Sequence, residues 1–371
     1  MTSSTAYLDW NATAPLRPEV VEAMTAALHL RGNPSSVHRA GREARRHLEA
    51  ARARVAALVD VAPSEVVFTS GGTEANRLAL QGVAGRRLLL SAIEHDSVRQ
   101  AGHGGEIIPV TRDGVVDIDA LERVLAADRR PALVTLMLAN NETGVIQPVA
   151  EAARIAHAHG ALMHCDAVQA AGKISFTRRQ LGADMLTVSA HKLGGPPGVG
   201  ALVVSADVPF AATRSGGGQE RGRRAGTENL PGIVGFGAAC SVAAKSLGGD
   251  VAVAALRDEA ERLLLAIAPE IQIHGRNAPR LANTLCVSMP GVASAIQVIA
   301  LDLAGVMVSA GAACSSGKVK RSHVLDAMGV PAADAECAIR ISLGWSTTEA
   351  DINRLAEAWG ALYSRNRASA A

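Results

Sequence analysis

Aromatic residues are scarce in this chain of 371 residues, where Phe, Trp and Tyr together make up 2%. Net charge is also small, because 37 Lys and Arg stand against 35 Asp and Glu, giving a formal net charge of +2. Proteins that bind nucleic acid usually carry a basic surface and, for single strands, aromatic platforms on which bases stack. Nucleic acid is therefore not expected as a partner, and the core must be built from Ala, Val, Leu and Ile.

Paired cysteines and long apolar runs are missing as well. The five cysteines are widely spread and form no C-x-x-C pair, which argues against a disulfide scaffold and a zinc ribbon. The N-terminal segment lacks the basic and apolar regions of a signal peptide. No apolar run reaches the roughly 18 residues of a membrane span, and Asp302 interrupts the most apolar late stretch, 292–313. These absences predict a soluble, cytoplasmic protein with no membrane partner.

Hydrophobic residues are plentiful at 48%, and their arrangement predicts the fold class. Between about residues 42 and 204, short apolar runs alternate with helical patterns. This alternation is typical of an α/β domain with a parallel sheet covered by helices on both faces. The predicted helices are 42–59, 73–84, 117–126 and 149–160, and the predicted strands are 66–69, 88–93, 132–139, 161–167, 185–188 and 199–204.

A change of pattern follows a Gly- and Arg-rich loop at 214–224. Strand-like pieces at 281–289 and 338–343 are mixed there with helical patterns at 294–304 and 349–364. We expect a second, smaller α+β unit from about residue 250 to the C terminus.

The segment 69–76 joins a predicted strand to a predicted helix and contains Gly71 and Gly72, followed by Thr73. Glycines let the backbone approach an anion, and a helix N-terminus offers free N–H groups and the positive end of the helix dipole. The same residues are equally consistent with an ordinary β–α turn capped by threonine. Because the segment matches neither the P-loop nor the dinucleotide-binding pattern, phosphate binding needs support from other residues.

Two further strand ends carry ionisable residues. Period two places His164 and Asp166 on one face of their strand and Cys165 on the other. A carboxylate at the carboxyl edge of a parallel sheet lies where ligands bind in open α/β folds, and a strand-end turn cap is the alternative. Lys192 lies between an apolar strand and a Gly/Pro loop, where partial desolvation would free its amine for Schiff-base chemistry. For an isolated lysine, a solvated loop position is the commoner case.

Three other residues are candidates for chemistry. Cys314 lies among small residues and is followed closely by basic ones, which favour access and the thiolate form. Cys240 and Cys286 instead lie in apolar patterns that indicate a structural role. Arg340 is a charge inside an apolar strand, so it needs a carboxylate or phosphate partner. His95 follows a strand and faces either the same sheet edge or solvent.

These residues have one economical joint explanation. An anion-binding turn, an acidic residue, a lysine and a histidine would together hold a cofactor that has a phosphate, a ring nitrogen and an aldehyde. Pyridoxal 5′-phosphate has these groups, and its enzymes use a lysine Schiff base with an acidic partner for the pyridinium nitrogen. The residues therefore favour pyridoxal phosphate as the cofactor.

At this point the chain resembles a family, the cysteine desulfurases within the class V aminotransferase group of pyridoxal-phosphate fold type I. The resemblance implies an α/β fold with a mostly parallel mixed sheet sandwiched by helices. It implies a large domain over 15–250 and a small domain, formed by 1–14 plus 251–371, that carries the catalytic-cysteine loop. The matching motifs run in the family's order over nearly the whole chain, at 7–9, 11–13, 32–38, 71–76, 140–144, 166–169, 189–192, 224–229, 313–317 and Arg340.

The resemblance also implies roles around the cofactor ring. Lys192 would hold the cofactor through an imine and later move protons at the substrate Cα. Asp166 would keep the ring nitrogen protonated, and His95 would stack on the ring. Gln169 and Asn141 would contact the ring oxygen.

Further roles concern the cofactor phosphate and the substrate. Thr227 would reach the phosphate from the other subunit of a homodimer. Arg340 would pair with the carboxylate of the L-cysteine substrate, with Asn33 nearby. Within the subunit, the phosphate would be bound by the glycine turn and by the strand end before the lysine, namely Gly72, Thr73, Ser189 and His191.

The implied reaction ends on Cys314. This residue would attack the substrate sulfur, take it as a persulfide and leave L-alanine. The persulfide would then pass to a sulfur acceptor or to an iron–sulfur scaffold protein. No resident metal site is expected, although Cys314 would contact an iron–sulfur cluster transiently. Departures such as Trp10, where the family commonly has asparagine, leave the subfamily and the acceptor open.

Two alternatives remain open from the sequence. A related lyase or aminotransferase, such as a selenocysteine lyase, would share the cofactor residues. Cys314 discriminates here, because a transaminase needs no loop thiol. The second alternative is a non-catalytic sulfur-relay scaffold, and the retention of Lys192, Asp166 and His95 argues against it.

Overall fold

The computed structural model of the protein describes residues 5–213, 215–247, 250–311 and 321–370. The strands are β1 (Ala6–Tyr7), β2 (Val66–Thr69), β3 (Arg87–Ser91), β4 (Glu106–Ile108), β5 (Ala132–Thr135), β6 (Leu162–Asp166), β7 (Met185–Ser189), β8 (Gly200–Val204), β9 (Gln272–Ile273), β10 (Thr284–Ser288), β11 (Val306–Met307), β12 (Ser309–Ala310) and β13 (Ala338–Ser342). The helices are α1 (Pro18–Leu28), α2 (Arg39–Leu58), α3 (Gly72–Gly82), α4 (Asp96–Ala101), α5 (Ile118–Ala127), α6 (Val149–Ala158), α7 (Arg178–Leu181), α8 (Leu230–Ser246), α9 (Asp250–Ile267), α10 (Ser294–Leu303), α11 (His323–Ala327), α12 (Ala332–Ala335) and α13 (Glu349–Ala370).

The central sheet has the strand order β2–β8–β7–β6–β5–β3–β4. Neighbours from β7 to β4 are parallel, whereas β8 runs antiparallel to both β2 and β7. Gly200, the first residue of β8, therefore pairs with the last residues of its two neighbours, Thr69 and Ser189. The prediction of a mostly parallel mixed sheet is confirmed, and the carboxyl ends of all strands other than β8 lie at one edge.

Helices cover the central sheet, and the core between the layers is almost entirely aliphatic. Strands β2, β5, β7 and β8 are buried at every position, as expected for a sheet covered on both faces. Helix α2 turns its apolar stripe, including Leu48 and Val55, into this core and packs against α8. Aromatic contacts are few, and Phe68 meets Phe236 edge-on with ring centroids 6.4 Å apart.

A second core lies around the smaller, antiparallel sheet, whose order is β12–β13–β10–β9. The N-terminal strand β1 pairs in parallel with β11, and it places Ala6 and Leu8 in this second core beside Ile341 and Trp359. The N-terminal residues thus pack with the C-terminal part of the chain. The division into 15–250 and 1–14 plus 251–371 stays a prediction, which this packing supports.

The predicted strands 132–139 and 281–289 are longer than the observed strands β5 and β10, which span Ala132–Thr135 and Thr284–Ser288. The run 132–139 was expected to be a single strand, but β5 ends at Thr135. Beyond it, Ala139 forms an antiparallel bridge with Ile146, and the Gln147 N–H donates to the Leu138 carbonyl at 2.9 Å. Residues 136–138 still follow β6, because the Leu136 and Leu138 N–H groups donate to the His164 and Asp166 carbonyls at 3.1 and 2.9 Å. The loop that carries Asn141 begins after them.

The helices of the described residues include no single one that is both long and apolar enough to cross a membrane. The consecutive pair Leu230–Ser246 and Val251–Ile267 reaches that length and composition only when joined, and the two helices meet at 80°.

Candidate active site

A cavity of about 360 Å³ opens at the carboxyl edge of the central sheet. Its walls come from the segments that follow β2, β3, β5, β6 and β7, and from residues of the smaller sheet. This cavity brings together most of the predicted site residues, namely Gly72, Thr73, His95, Asn141, Asp166, Gln169, Ser189, His191, Lys192 and Arg340.

Lys192 ends the short 3₁₀ turn Ala190–Lys192, which follows β7 directly. Its Nζ donates to the backbone carbonyls of Asn11 at 2.6 Å and of Ala12 at 2.7 Å. The same turn holds the N-terminal segment, because the Ala14 N–H donates to the His191 carbonyl at 2.9 Å. The amine is therefore half-buried at the cavity wall, and the solvated-loop alternative does not describe it.

Asp166 is the last residue of β6, and its carboxylate is almost fully buried. Its Oδ1 accepts from the Val168 N–H at 2.9 Å, and its Oδ2 accepts from Asn76 Nδ2 at 2.7 Å. Two donors on different oxygens fix the plane of the carboxylate. A carboxylate held in this way at the cavity can keep a ring nitrogen protonated.

His95 belongs to the same hydrogen-bond network. It caps α4, where its Nδ1 accepts from the Ser97 N–H at 3.1 Å and lies 2.8 Å from Ser97 Oγ. Ser97 Oγ in turn accepts from Asn76 Nδ2 at 2.8 Å. Because Nδ1 is the acceptor, the neutral ring carries its proton on Nε2. The network links the imidazole to Asp166 through two uncharged side chains.

The turn before α3 and the end of β7 form an open polar cradle. Gly71 has φ +152°, a conformation that favours glycine, and no side chain caps the N-terminus of α3. A Cβ added to Gly72 would lie 3.0 Å from Val168 Cγ2 and 3.6 Å from Ser189 Cβ. Ser189 Oγ is buried and has no hydrogen-bond partner among the described residues. Unused donors around a helix N-terminus fit a phosphate group.

Two histidines near the cradle are neutral at pH 7. Burial, assisted by the charge of Lys192, lowers the pKa of His191 to about 4. Burial also lowers the pKa of His164 to about 4, and its ring nitrogens contact the hydroxyls of Thr135 at 2.8 Å and Thr187 at 3.0 Å. His191 lines the cavity, whereas His164 holds three neighbouring strands together.

Arg340 comes from the middle of β13 in the smaller sheet, and its side chain is 5% exposed. Its Nη2 lies 2.7 Å from Asp9 Oδ1, and its Nη1 donates to the Asn141 carbonyl at 3.1 Å. The sequence prediction that this buried charge needs an anionic partner is met by Asp9 in the chain itself. The guanidinium also lines the cavity, where it can meet a ligand carboxylate.

Gln169 and its neighbours connect the cavity to the N-terminal segment. Gln169 Nε2 donates to the Asn11 carbonyl at 3.0 Å, and its Oε1 accepts from Lys173 Nζ at 2.8 Å. Asn11 Nδ2 donates to Thr284 Oγ1 at 2.9 Å in the smaller sheet. Gln169, one of the two residues predicted to contact the ring oxygen, is thus fixed where the two sheets meet.

Two predicted site residues do not line this cavity within the single chain. Asn33 lies on an exposed loop, where its Oδ1 accepts from the Ser35 N–H at 2.8 Å. Thr227 is exposed and follows Arg224, which pairs with Glu74 on the first turn of α3 at 2.9 Å. Both roles stay predictions.

The cysteines divide into buried thiols and one residue that lies outside the described residues, Cys314. Cys165, Cys240, Cys286 and Cys337 are unpaired and buried, and burial raises the pKa of each of these four thiols. Gly311, which lines the cavity, precedes Cys314 by three positions. Within the described ranges, no group of three or more His, Cys, Asp or Glu side chains could hold a metal ion.

Several residues of the network received no role from the sequence. Asp9, Asn11 and Asn76 lie in the matching motifs, but their residue types alone predict no chemistry, and Ser97 lies outside these motifs. For Asn76 the spacing was a usable signal, because a residue four positions after Gly72 on a helix lies on the same face.

Comparisons with known proteins agree with this geometry. The profile of the aminotransferase class-V family matches residues 6–355. A cysteine desulfurase from Cereibacter sphaeroides is 47% identical over 367 residues, which cover 95% of this chain and 94% of that protein. The cysteine desulfurase IscS from Dictyoglomus turgidum is 41% identical and covers 94% of this chain and 91% of its own. The crystal structure of a NifS-like protein from Rickettsia africae superposes with a TM-score of 0.91 at 35% identity, covering 97% and 99% of the two chains.

The fold and the lysine–carboxylate cavity define the class of protein, a pyridoxal-phosphate enzyme of fold type I. The chain belongs to the aminotransferase class-V family and, within it, to the cysteine desulfurases.

Proposed function

We propose that this chain removes sulfur from L-cysteine, gives L-alanine, and carries the sulfur as a persulfide on Cys314. The single observation that carries the proposal is that the Lys192 amine and the Asp166 carboxylate line one cavity beside an open phosphate cradle. Pyridoxal 5′-phosphate, when bound, supplies the electron sink that acidifies the substrate Cα proton and activates the Cβ–S bond.

The residues around the ring have distinct tasks. Lys192 would hold the cofactor aldehyde and move the proton at the substrate Cα, because it is the lysine that lines the described part of the cavity. Asp166 would keep the proton on the ring nitrogen. His95 would pack on the ring, and its link to Asp166 through Ser97 and Asn76 orients the imidazole.

Anchoring residues position the cofactor and the substrate. The cradle formed by Gly72, Thr73 and Ser189, with neutral His191 as a further donor, binds the phosphate. Gln169 and Asn141 contact the ring oxygen. The guanidinium of Arg340, which lines the cavity, binds the α-carboxylate of L-cysteine. Asn33 does not line the cavity of its own chain, so its place as a second polar contact stays a prediction.

The sulfur transfer balances without a further oxidant or reductant. The Cys314 thiolate attacks the substrate sulfur, so an S–S bond forms and the Cβ–S bond breaks. The electron pair of the broken bond stays on carbon, which takes a proton to become the methyl group of alanine. The persulfide then passes to an acceptor, and proteins that assemble iron–sulfur clusters are the proposed acceptor class.

The defining experiment is incubation of the purified holoenzyme with L-cysteine and dithiothreitol. Alanine and sulfide should appear in equal amounts and continue over many turnovers. Without the reductant, one alanine per chain should form together with one persulfide, and Cys314→Ala should form neither while still binding the cofactor. Turnover of L-selenocysteine alone would assign a selenocysteine lyase. A protein that stays colourless with added pyridoxal phosphate would be a scaffold.

We also propose a homodimer in which Thr227 serves the partner's cofactor site. The support is that Thr227 is exposed, does not line the cavity of its own chain, and follows a segment held by the Arg224–Glu74 pair. Mixing Lys192→Ala and Thr227→Ala protomers tests the arrangement. If Thr227 acts across the interface, each mixed dimer regains one intact site and about half of the wild-type activity; if it acts within its own chain, mixing restores nothing.

The cytoplasm is the proposed compartment. The described cysteines are unpaired, and a persulfide carrier needs a thiol, which the reducing cytoplasm preserves.

A further inference from the structure

Arg340 and Asp9 form a partly buried ion pair at the wall of the cavity. The two side chains are 5% and 23% exposed, and Arg340 Nη2 lies 2.7 Å from Asp9 Oδ1. Asp9 is separated from Arg340 by 331 positions in the chain and lines the same cavity. The group proposed to bind the substrate carboxylate therefore already has a carboxylate beside it.

The backbone builds this pair into the fold. Asp9 forms a parallel bridge with Ser342, two positions after Arg340 on β13. The Ser342 N–H donates to the Leu8 carbonyl at 2.8 Å, and the Trp10 N–H donates to the Ser342 carbonyl at 3.3 Å. Strand pairing thus holds Asp9 against Ser342. Because Ser342 is two positions from Arg340 on β13, the strand register places Asp9 beside Arg340.

We propose that Asp9 is an intramolecular competitor for the α-carboxylate of the amino acid, and that it sets the affinity of the site for both substrate and product. The inference rests on the proposed function of Arg340. An incoming carboxylate must displace Asp9 from the guanidinium or share the guanidinium with it. Sharing places two negative charges near one positive charge in a partly desolvated site, where their repulsion is poorly screened.

The proposed competition would affect the release of product, because L-cysteine and L-alanine carry the same α-carboxylate. A strong carboxylate contact binds both equally and gives no discrimination between them. With Asp9 in place, the guanidinium regains a partner as soon as alanine leaves. The site therefore stays available to the next substrate molecule.

The opposite role for Asp9 predicts the opposite sign. If Asp9 only oriented Arg340 for the substrate, its removal would weaken the binding of every α-carboxylate ligand. Competition predicts tighter binding instead, since Asp9 is the carboxylate paired with Arg340 among the described residues, and its removal leaves the buried guanidinium to the carboxylate of the ligand. Whether the affinity for α-carboxylate ligands rises or falls when Asp9 is removed therefore decides between competition and orientation of Arg340.

The test uses the holoenzyme and two variants that remove the charge, Asp9→Asn and Asp9→Ser, with L-alanine as the probe. Calorimetry should show about tenfold or tighter alanine binding in both variants, equivalent to about 1.4 kcal/mol or more. The KM for L-cysteine should fall, and kcat should fall because alanine leaves more slowly. Asp258→Asn is the matched control, because Asp258 pairs with Arg257 at the same 2.7 Å but is 62% exposed; its alanine affinity should be unchanged.

Three results would overturn the proposal. These are unchanged or weaker alanine binding in both Asp9 variants, failure of both to fold, and wild-type alanine affinity in Arg340→Gln. Failure of the proposed function is a separate outcome. A wild-type protein that binds alanine but releases no sulfide from L-cysteine would refute the desulfurase activity, while tighter alanine binding in the Asp9 variants would still establish the competition.

Discussion

The side-chain amide of Asn76 donates to the carboxylate of Asp166 at 2.7 Å and, through the same nitrogen, to the hydroxyl of Ser97 at 2.8 Å. Asn76 is 1% exposed and lies on α3, four positions after Gly72. One helix therefore carries both the N-terminus of the phosphate cradle and the amide that orients the carboxylate. A shift of α3 would therefore move the cradle proposed for the phosphate together with the amide that bonds Asp166.

We predict that Asn76→Ala weakens pyridoxal phosphate binding by about tenfold or more, because the buried Asp166 carboxylate loses one of its two donors. Titration of the stripped protein with the cofactor, followed by its visible absorbance, measures the change. Asn277→Ala is the control, because Asn277 bonds Asp113 on the surface. Equal cofactor affinity in the Asn76 variant and the wild type would contradict the prediction.

We predict that Lys192→Ala abolishes alanine production while the protein remains folded. The loss follows because no other amine lines the described part of this cavity near the strand ends that hold the cofactor. Amino-acid analysis after incubation with L-cysteine measures turnover, and circular dichroism checks the fold. Lys245→Ala removes an exposed lysine and should keep wild-type activity. Large residual alanine production in the Lys192 variant would remove this residue from the mechanism.

We predict that brief treatment of the folded protein with iodoacetamide leaves Cys165, Cys240 and Cys286 unmodified. These thiols are inaccessible, and burial raises their pKa values, so the reactive thiolate is rare. Peptide mass spectrometry should place any rapid label on Cys314, and Cys314→Ala should lose it. Denaturation before treatment, as the control, should expose all sites. Rapid labelling of Cys165 in the folded protein would contradict the burial.

We predict a pH-dependent contribution from the Glu74–Arg224 pair. Burial alone would raise the pKa of the Glu74 carboxyl, but hydrogen bonds from Arg224 and Ser70 outweigh burial and lower the pKa from 4.5 to about 2. A pKa that is lower in the folded state gives stability that is present above about pH 4.5 and is lost as the pH falls toward 2. Because the pair is partly exposed, the contribution should be about 1–3 kcal/mol.

Urea unfolding of Glu74→Gln and the wild type at several pH values measures this contribution. The difference in unfolding free energy should be full at pH 7 and should shrink steadily below pH 4.5. Glu43→Gln, which removes an exposed carboxylate paired with Arg46, should show a much smaller difference. If the difference in unfolding free energy between Glu74→Gln and the wild type stays constant down to the lowest pH, Glu74 acts by packing alone.

The strand ends of the site were predictable because their signals are local. Apolar runs ending in Asp166 or running into Lys192 mark where strands stop, and parallel strands bring such ends to one edge. The direction of β8 was not predictable in this way, since a short buried run reads the same for a parallel and an antiparallel strand. Only the hydrogen-bonded register of the strands shows that β8 runs antiparallel to its neighbours β2 and β7.

The pairing of Asp9 with Arg340 could not be predicted from the sequence, for a different reason. The sequence indicated that Arg340 needs an anion, but a contact across 331 positions depends on how β1 and β13 are brought together. The contact of Asn76 with Asp166 belongs to the same category, because it joins residues 90 positions apart. The spacing from Gly72 indicates the face of α3 on which Asn76 lies but not its partner, whereas Ser97 contacts His95 only two positions away. Long-range polar contacts of this kind leave no periodic trace in the chain.

The reversed strand β8 has a consequence for the cofactor cradle. A methyl group on Gly200 would stand 2.7 Å from the Gly71 carbonyl carbon and 2.9 Å from the Val188 carbonyl oxygen. Both are main-chain atoms, which cannot swing aside as a flexible side chain would. The absence of a side chain at the start of β8 thus permits the close approach of the Gly71 turn and of β7. Gly200→Ala is therefore expected to displace the turn before α3 and to weaken anion binding there, although Gly200 does not line the cavity.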